Sequence, residues 1–385
     1  MNKKELGELR RRFRADRSAI SRVYGCFVNC NGEIVSDLDI SLGMTSQETA
    51  EKYLGFLKKS LSGGLGKNLV DISFSTQQVM DSPEHRLLTT LRKSRLQDEQ
   101  ARQAFYQQVI SSAPVEGNYL ILLAHDAYDV PHHGEDGELD AEGSDQVFSY
   151  IVCAVCPIKD GKTELGYFPG ENAFRCVSGQ TVAQPEVGFL FPAFDDRAAN
   201  IYHALLYSRD TEELPQSFLD AIFHTQPPLS AGEQKENFRG ALVEALGEEC
   251  HMDVLQTLHQ QLAERVEEHK QSKDPEPLAM TAGEIAGILE DCGVSQPHAE
   301  AFREICTQQF GPDAALQPGN LINTKKVELK TTQATISLDP ETCSMVQERI
   351  IDGRRYLLIP VGEGLELNGL PIRVKRPGQE PSANT

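Results

Sequence analysis

The hydrophobic pattern changes period twice along the chain. Near the start, Leu6, Leu9 and Phe13 recur at helical spacing within residues 3–14, with arginines around the stripe. Residues 20–29 are rich in Ile, Val, Tyr and Phe and lead into Asn31-Gly32, a hairpin signal. Residues 46–61 predict a helix closed by Gly63-Gly64. Residues 69–74 alternate as a short strand, and 97–111 predict a helix with Phe105 and Val109 turned inward. Apolar runs of strand length at 119–124 and 148–156, and a third at 187–191 closed by Pro192, predict buried strands. Strands in hairpin-like pairs, without regular βαβ alternation, predict an α+β domain over 1–208 with a mainly antiparallel sheet.

Helical period then takes over. Residues 212–224, 231–246, 252–270, 282–292 and 296–310 each fit a helix, separated by signals such as Pro227-Pro228, Gly247 and Gly293. Thr281 followed by Glu284 is a capping-box pattern, and the charged, proline-containing stretch 271–278 is the best linker candidate. These helices make a helical region, 209–318. From Thr324 the period returns to two, with Asp352-Gly353 and Asn368-Gly369 as turn signals, predicting a small β-rich unit over 319–375. The tail 376–385 is expected to be disordered.

Length and composition fit this picture. At 385 residues, 39% hydrophobic and 24% charged, the chain can bury a core without staples. Its longest apolar runs fall far short of the ~20 residues that a membrane span needs, and the charged N-terminus has no signal-peptide core. Nine scattered cysteines do not read as a disulfide framework, which suggests a reducing cytoplasm.

Charge sharpens the functional reading. The net charge of −20 opposes indiscriminate nucleic-acid binding, because phosphate contacts need Lys and Arg. Yet residues 1–22 carry eight bases against three acids, a net of +5. Residues 113–145 carry nine acids and no base, and 210–316 have a net charge of −15. Arg10, Arg11, Arg12 and Arg14 on the first helix are therefore candidate phosphate contacts; docking of that helix on its own domain is the competing reading.

The candidate metal chemistry lies in HDAYDVPHHGEDGELDAEGSD, residues 125–145, where a strand runs into three histidines and eight carboxylates. His125, Asp126, Asp129, His132 and His133 offer enough donors for a transition metal. Strand alternation, however, turns His125 and Asp126 to opposite faces. A calcium-loop register puts Ala141 where Gly is needed and Val147 where the bidentate Glu is needed. A polar loop after a core strand is the simpler reading.

Other motifs weaken on inspection. The glycine turn 62–68 departs from GxxxxGK[ST] at both ends and has the wrong element order, so it reads as a helix cap and turn. Cys153 and Cys156 lie three apart on a strand and face opposite sides, so they cannot chelate one ion. Asp195, Asp196 and Arg197 sit at an expected strand-to-helix junction, where an Asp would cap the helix and the exposed turn is a possible contact site.

The segments HDAYDVP, SYIVCAVCPIK, GFLFPAFDDRAANIYHALLY, PLSAGEQKENF, LEDCGVS and NLINTKKVELKT resemble an uncharacterised bacterial family, domain of unknown function 4317, over about 1–375. That resemblance implies a cytosolic protein of anaerobic Gram-positive bacteria and carries no activity or set of functional residues. The order of elements from about 215 onward is similar to the bacterial 37-kilodalton nucleoid-associated protein family. The matching parts are Ala231-Gly232-Glu233-Gln234, the helices through Phe310, and the β-rich stretches 325–329, 334–339 and 347–370.

The expected function is a non-enzymatic cytoplasmic binding protein without a cofactor. DNA, in the nucleoid, or another protein is its expected partner, and no membrane is involved. One alternative is a metal-dependent hydrolase using a divalent ion at the His125/Asp126/Asp129 cluster; another is a homo-oligomeric scaffold.

Overall fold

The computed structural model describes residues 1–372, apart from 131, 134–138, 141–145, 162, 178, 227, 313, 344, 362–364 and 368–369. Helix α1 (Lys3–Arg12) leads into the hairpin β1 (Arg22–Val28) and β2 (Ile34–Ser41). Next come α2 (Gln47–Lys59), β3 (Leu69–Ser73), α3 (Thr76–Asp81), α4 (Pro83–Lys93) and α5 (Glu99–Ser112). Strand β4 (Tyr119–Val130) is followed by the short pair β5 (His132–His133) and β6 (Leu139–Asp140), and then β7 (Gln146–Asp160). A second hairpin, β8 (Glu164–Phe168) and β9 (Ala173–Val177), precedes β10 (Gln180–Val182), β11 (Val187–Phe191), β12 (Ala193–Asp195), β13 (Ala198–Asn200) and β14 (His203–Ser208).

Seven strands form one antiparallel sheet in the order β2-β1-β4-β7-β11-β14-β3, and β10 pairs with the far end of β7. The sheet is covered on both faces, which explains why its central strands read as unbroken apolar runs rather than alternating ones. From β4, Ile121 and Leu123 enter one core with Leu88 and Leu91 of α4 and Phe105, Tyr106 and Val109 of α5. The intervening Leu120, Leu122 and Ala124 enter the other core with Leu6 and Leu9 of α1 and Leu54 and Leu57 of α2. Cys153 and Cys156 fall into opposite cores, as strand alternation requires. Gly25 is needed where β1 crosses β4, because a Cβ there would lie 2.1 Å from the Ile121 carbonyl oxygen.

Helix α6 (Gln216–Ile222) buries Phe218, Leu219 and Ile222 in the first of these cores. It therefore packs with the sheet, not with the helices beyond residue 208. Those are α7 (Ala231–Leu246), α8 (Met252–Ser272), α9 (Ala282–Asp291), α10 (Gln296–Phe310) and α11 (Pro318–Leu321), which surround a separate core centred on Phe238, Leu262, Leu289 and Phe302. The capping box of Thr281 and Glu284 starts α9. The proline stretch is pinned back to α1, since the Lys3 amide donates to the Pro275 carbonyl at 2.9 Å.

The remainder is small: β15 (Val327–Lys330), β16 (Thr335–Leu338), α12 (Pro340–Cys343), β17 (Gln347–Ile351), β18 (Arg354–Leu358), β19 (Glu366–Leu367) and β20 (Leu370–Pro371). Its strands pair two by two. Asp352 and Gly353, at φ +50° and +73°, form the two-residue turn between β17 and β18. Asn368-Gly369 and the tail 376–385 lie outside the described residues.

Two regions differ from the sequence expectation. No helix follows Asp195 and Asp196; residues 195–198 turn β12 into β13, and the apolar run beyond becomes β14, bonded to β11 and β3. A short apolar run has no period long enough to separate a strand from a buried helix. Residues 76–93, where the hydrophobic pattern predicts no element, form α3 and α4, started by the side chains of Ser75 and Ser82, with Pro83 in the first turn of α4.

Candidate anion-binding cleft

The basic helix α1 and the turn at 195–197 meet on one face of the sheet. Leu6, Leu9 and Phe13 are buried there, each contributing about 1.5–3 kcal/mol by leaving water. Arg12 points the same way, and its Nε and Nη2 donate to Oδ2 and Oδ1 of Asp126 at 2.7 and 3.0 Å, a bidentate pair. The Tyr150 hydroxyl donates to the same carboxylate at 2.8 Å, and the Arg12 guanidinium lies 4.5 Å from the centre of the Tyr128 ring. Burial by itself lowers the Arg12 pKa, but the hydrogen bonds and charge of Asp126 outweigh it and the net shift is upward. Burial, then the Asp126 charge, push the Tyr150 hydroxyl well up, so it stays a donor.

The neighbouring charges continue this network. Glu8 accepts from the Tyr128 hydroxyl and pairs with Arg197 Nη1 at 3.3 Å, while the Arg197 amide donates to Glu5 Oε1 at 3.0 Å. The Met1 amine donates to Asp195 Oδ1 at 3.0 Å, the main cause of the lowered Asp195 pKa. Asp196 is exposed beside this contact. The turn 195–197 thus meets α1 of its own chain. Arg10 donates to the carbonyls of Leu61 and Gly63 at 2.6 and 2.9 Å, closing the end of α2. Of the four candidate phosphate contacts, then, Arg10 and Arg12 are committed inside the fold. Arg11 is exposed, and Arg14 pairs with Asp16 in solvent.

His125 and Asp126 do project to opposite faces, so they do not converge on one ion. Asp129 is exposed at the end of β4. His132 and His133 form β5, and their side chains lie outside the described residues. Among the described residues, no group of three or more His, Cys, Asp or Glu side chains could hold a metal ion.

His125 instead faces a cleft of about 660 Å³ between β1, β4 and the α4–α5 turn, lined also by Arg22, Tyr24, Asp39, Arg95 and Arg102. The turn is built by Arg95 and Leu96, both left-handed at φ +52° and +63°, a conformation that non-glycine residues adopt rarely. Arg102 holds it by donating to the Leu96 carbonyl, and the same guanidinium stacks 4.3 Å from the Tyr24 ring centre. Arg22 is neutralised by Asp39, at 2.9 and 3.0 Å. Arg95 in the cleft wall, and the half-buried Arg92 near the end of α4, have no carboxylate partner among the described residues. Burial lowers the Arg92 pKa. Burial first, then the Arg95 charge, lower the His125 pKa, which Asp126 offsets in part. His125 is therefore neutral near pH 7, with Nε2 2.9 Å from Ser149 Oγ.

Arg92, Arg95 and Arg102 escaped the sequence reading. The run Arg92-Lys93-Ser94-Arg95 was visible, but bases at a helix C-terminus ordinarily answer the helix dipole and signal no ligand.

These observations define an α+β protein whose antiparallel sheet is covered on both faces, with one buried ionic network and one arginine-lined cleft. The chain belongs to the family described as Domain of unknown function (DUF4317), whose model matches residues 1–370. Among curated proteins, none matches the chain.

Proposed function

We propose that this is a non-enzymatic binding protein whose ligand carries phosphate or carboxylate groups and enters the cleft at His125. The observation that carries this reading is Arg95 in the cleft wall beside His125, with no carboxylate partner among the described residues, in a chain of net charge −20. An arginine with no carboxylate partner, in the wall of a cleft of ligand size, is a group for which an anion supplies the missing charge. The contact of His125 with Ser149 supports binding rather than nucleophilic chemistry. A serine nucleophile needs its base oriented by a third group, and the other ring nitrogen of His125 has no partner among the described residues.

A cytoplasmic setting belongs to the proposal and is supported by nine cysteines that are all free. Among the described residues, no helix is long and apolar enough to cross a membrane. The nucleoid reading keeps only Arg11 and Arg14 of its four arginines in solvent. Self-association is favoured by the β8–β9 hairpin, where Leu165 and Phe174 stand 71% and 69% exposed.

The test is a thermal-shift and calorimetric panel of inorganic phosphate, succinate and a nucleoside monophosphate against wild type and Arg95→Ser. At least one anion should stabilise the wild type and bind tenfold or more weakly to the variant. No shift with any anion, or equal binding by both proteins, overturns the cleft reading. Retention on duplex DNA at low salt that survives Arg95→Ser and fails on Arg11→Glu/Arg14→Glu would move the function to α1 instead.

A further inference from the structure

The glycine turn 62–68 takes no part in the arginine cleft; it is where the sheet meets the helical region. Gly66 sits at φ +73°, and a Cβ there would lie about 2.1 Å from the Gln317 side chain. The left-handed backbone is what favours glycine at this position, since the Gln317 side-chain end could swing aside. Asn320, which is buried, donates from Nδ2 to the Gly66 carbonyl at 2.8 Å and to Gln234 Oε1 at 3.2 Å. Three segments distant in sequence are thereby fixed around one small pocket of about 280 Å³. Lys67 comes from the glycine turn, Lys235 from α7 and Lys325 from the segment leaving α11, with Thr211 and Asn323 beside them and Glu212 as the single acid in the wall. None of the three lysines has a carboxylate partner among the described residues.

We infer that this seam binds a compact, polyvalent oxyanion of the pyrophosphate class. Three lysines against a single acid give the wall of this pocket a net positive charge, which favours an anion there. Lysine suits this task because it acts as a point charge, without the planar fork of arginine, and is a regular phosphate binder. The volume falls just under the ~300–1,000 Å³ of pockets for organic ligands, which favours a small anion. Because each lysine belongs to a different segment, the bound anion cross-links the glycine turn, α7 and the start of the β-rich unit. Binding to the folded state alone then stabilises the chain by mass action. This site is independent of the arginine cleft, which lies on the α4–α5 side of the sheet.

The test uses the full chain with sodium pyrophosphate, against sodium chloride at matched ionic strength. Wild type, Lys67→Ser/Lys325→Ser and Arg95→Ser are compared by calorimetry and thermal shift. Lys67 and Lys325 are exposed, so the double variant is expected to fold, which circular dichroism checks. Pyrophosphate should raise the melting temperature of wild type and Arg95→Ser alike, and its affinity should fall tenfold or more in the double lysine variant. A wild type that binds no pyrophosphate overturns the inference. So does a lysine variant that binds it as wild type does, or binding that is lost in Arg95→Ser instead.

Discussion

Asp126 and His125 are neighbours on one strand, yet arginine lies beside each of them for opposite reasons. On the α1 side, Arg12 meets a carboxylate that is fully buried, and Tyr150 completes the acceptor's partners. On the α4–α5 side, Arg92 and Arg95 meet a neutral imidazole and no carboxylate. The number of arginines does not separate these faces; their pairing does. A paired guanidinium has spent its charge on the fold, whereas one left unpaired beside a cleft retains it for a ligand. A basic segment such as residues 10–14 therefore says little about function until the destination of each side chain is known.

The sharpest way to break this comparison is to remove Arg12. Arg12→Met leaves the Asp126 carboxylate buried and unpaired, which should cost about 3–5 kcal/mol in urea unfolding at pH 7. The triple variant Arg12→Met/Asp126→Leu/Tyr150→Phe removes every polar member together and should recover most of that loss, because apolar isosteres of a buried pair are often neutral or better. A single-variant cost below about 1 kcal/mol, the range of surface pairs, would mean that the α1 face is no more committed than the cleft face.

Second in size is Tyr150→Phe. It removes one hydrogen bond to a buried charge, worth roughly 1.5–3 kcal/mol, without touching the arginine. Two-state unfolding curves compare it with Arg12→Met, and the arginine variant should be the worse of the two. A Tyr150→Phe protein as stable as wild type would show that Arg12 alone satisfies Asp126.

How far this contrast was legible in the sequence depends on the residue. The unbroken run at 119–124 showed that β4 is buried, and its alternation correctly divided His125 from Asp126 and Cys153 from Cys156. Those are local facts of period two. Whether Arg12 reaches Asp126, 114 positions away, is a tertiary fact with no local trace. The same holds for Asp195 and Arg197, which look like a helix cap in sequence and become a hairpin turn against α1. The cleft was hidden for a third reason, since its two left-handed residues, Arg95 and Leu96, are types that carry no turn signature.

Third in the order comes Arg95→Ser, where stability and binding should part company. The side chain is exposed, so unfolding free energy should change by no more than about 0.5 kcal/mol. Affinity for the cleft's anion should fall tenfold or more, about 1.4 kcal/mol. If stability drops as it does for Arg12→Met, Arg95 has a structural partner and the two faces are alike after all.

The smallest effect is a pH dependence, and it probes the cleft from inside. His125 is held below its ordinary pKa of 6.5, mainly by burial and then by Arg95. Above that value both folded and unfolded chains carry it neutral. As the pH falls below it, the unfolded chain takes up a proton that the folded chain refuses, so stability declines until the lower folded pKa is reached. His259, also lowered by burial, adds to the same slope. His125→Gln should therefore retain part of the slope and lose the rest, measured by urea unfolding between about pH 7 and 5. A bound anion changes the sign of the local field, because a negative group beside His125 favours the imidazolium. Saturating anion should flatten the wild-type slope and leave that of His125→Gln nearly unaltered. Identical slopes for the two proteins, with and without anion, would assign the dependence to groups other than His125 and take that histidine out of the cleft's electrostatics.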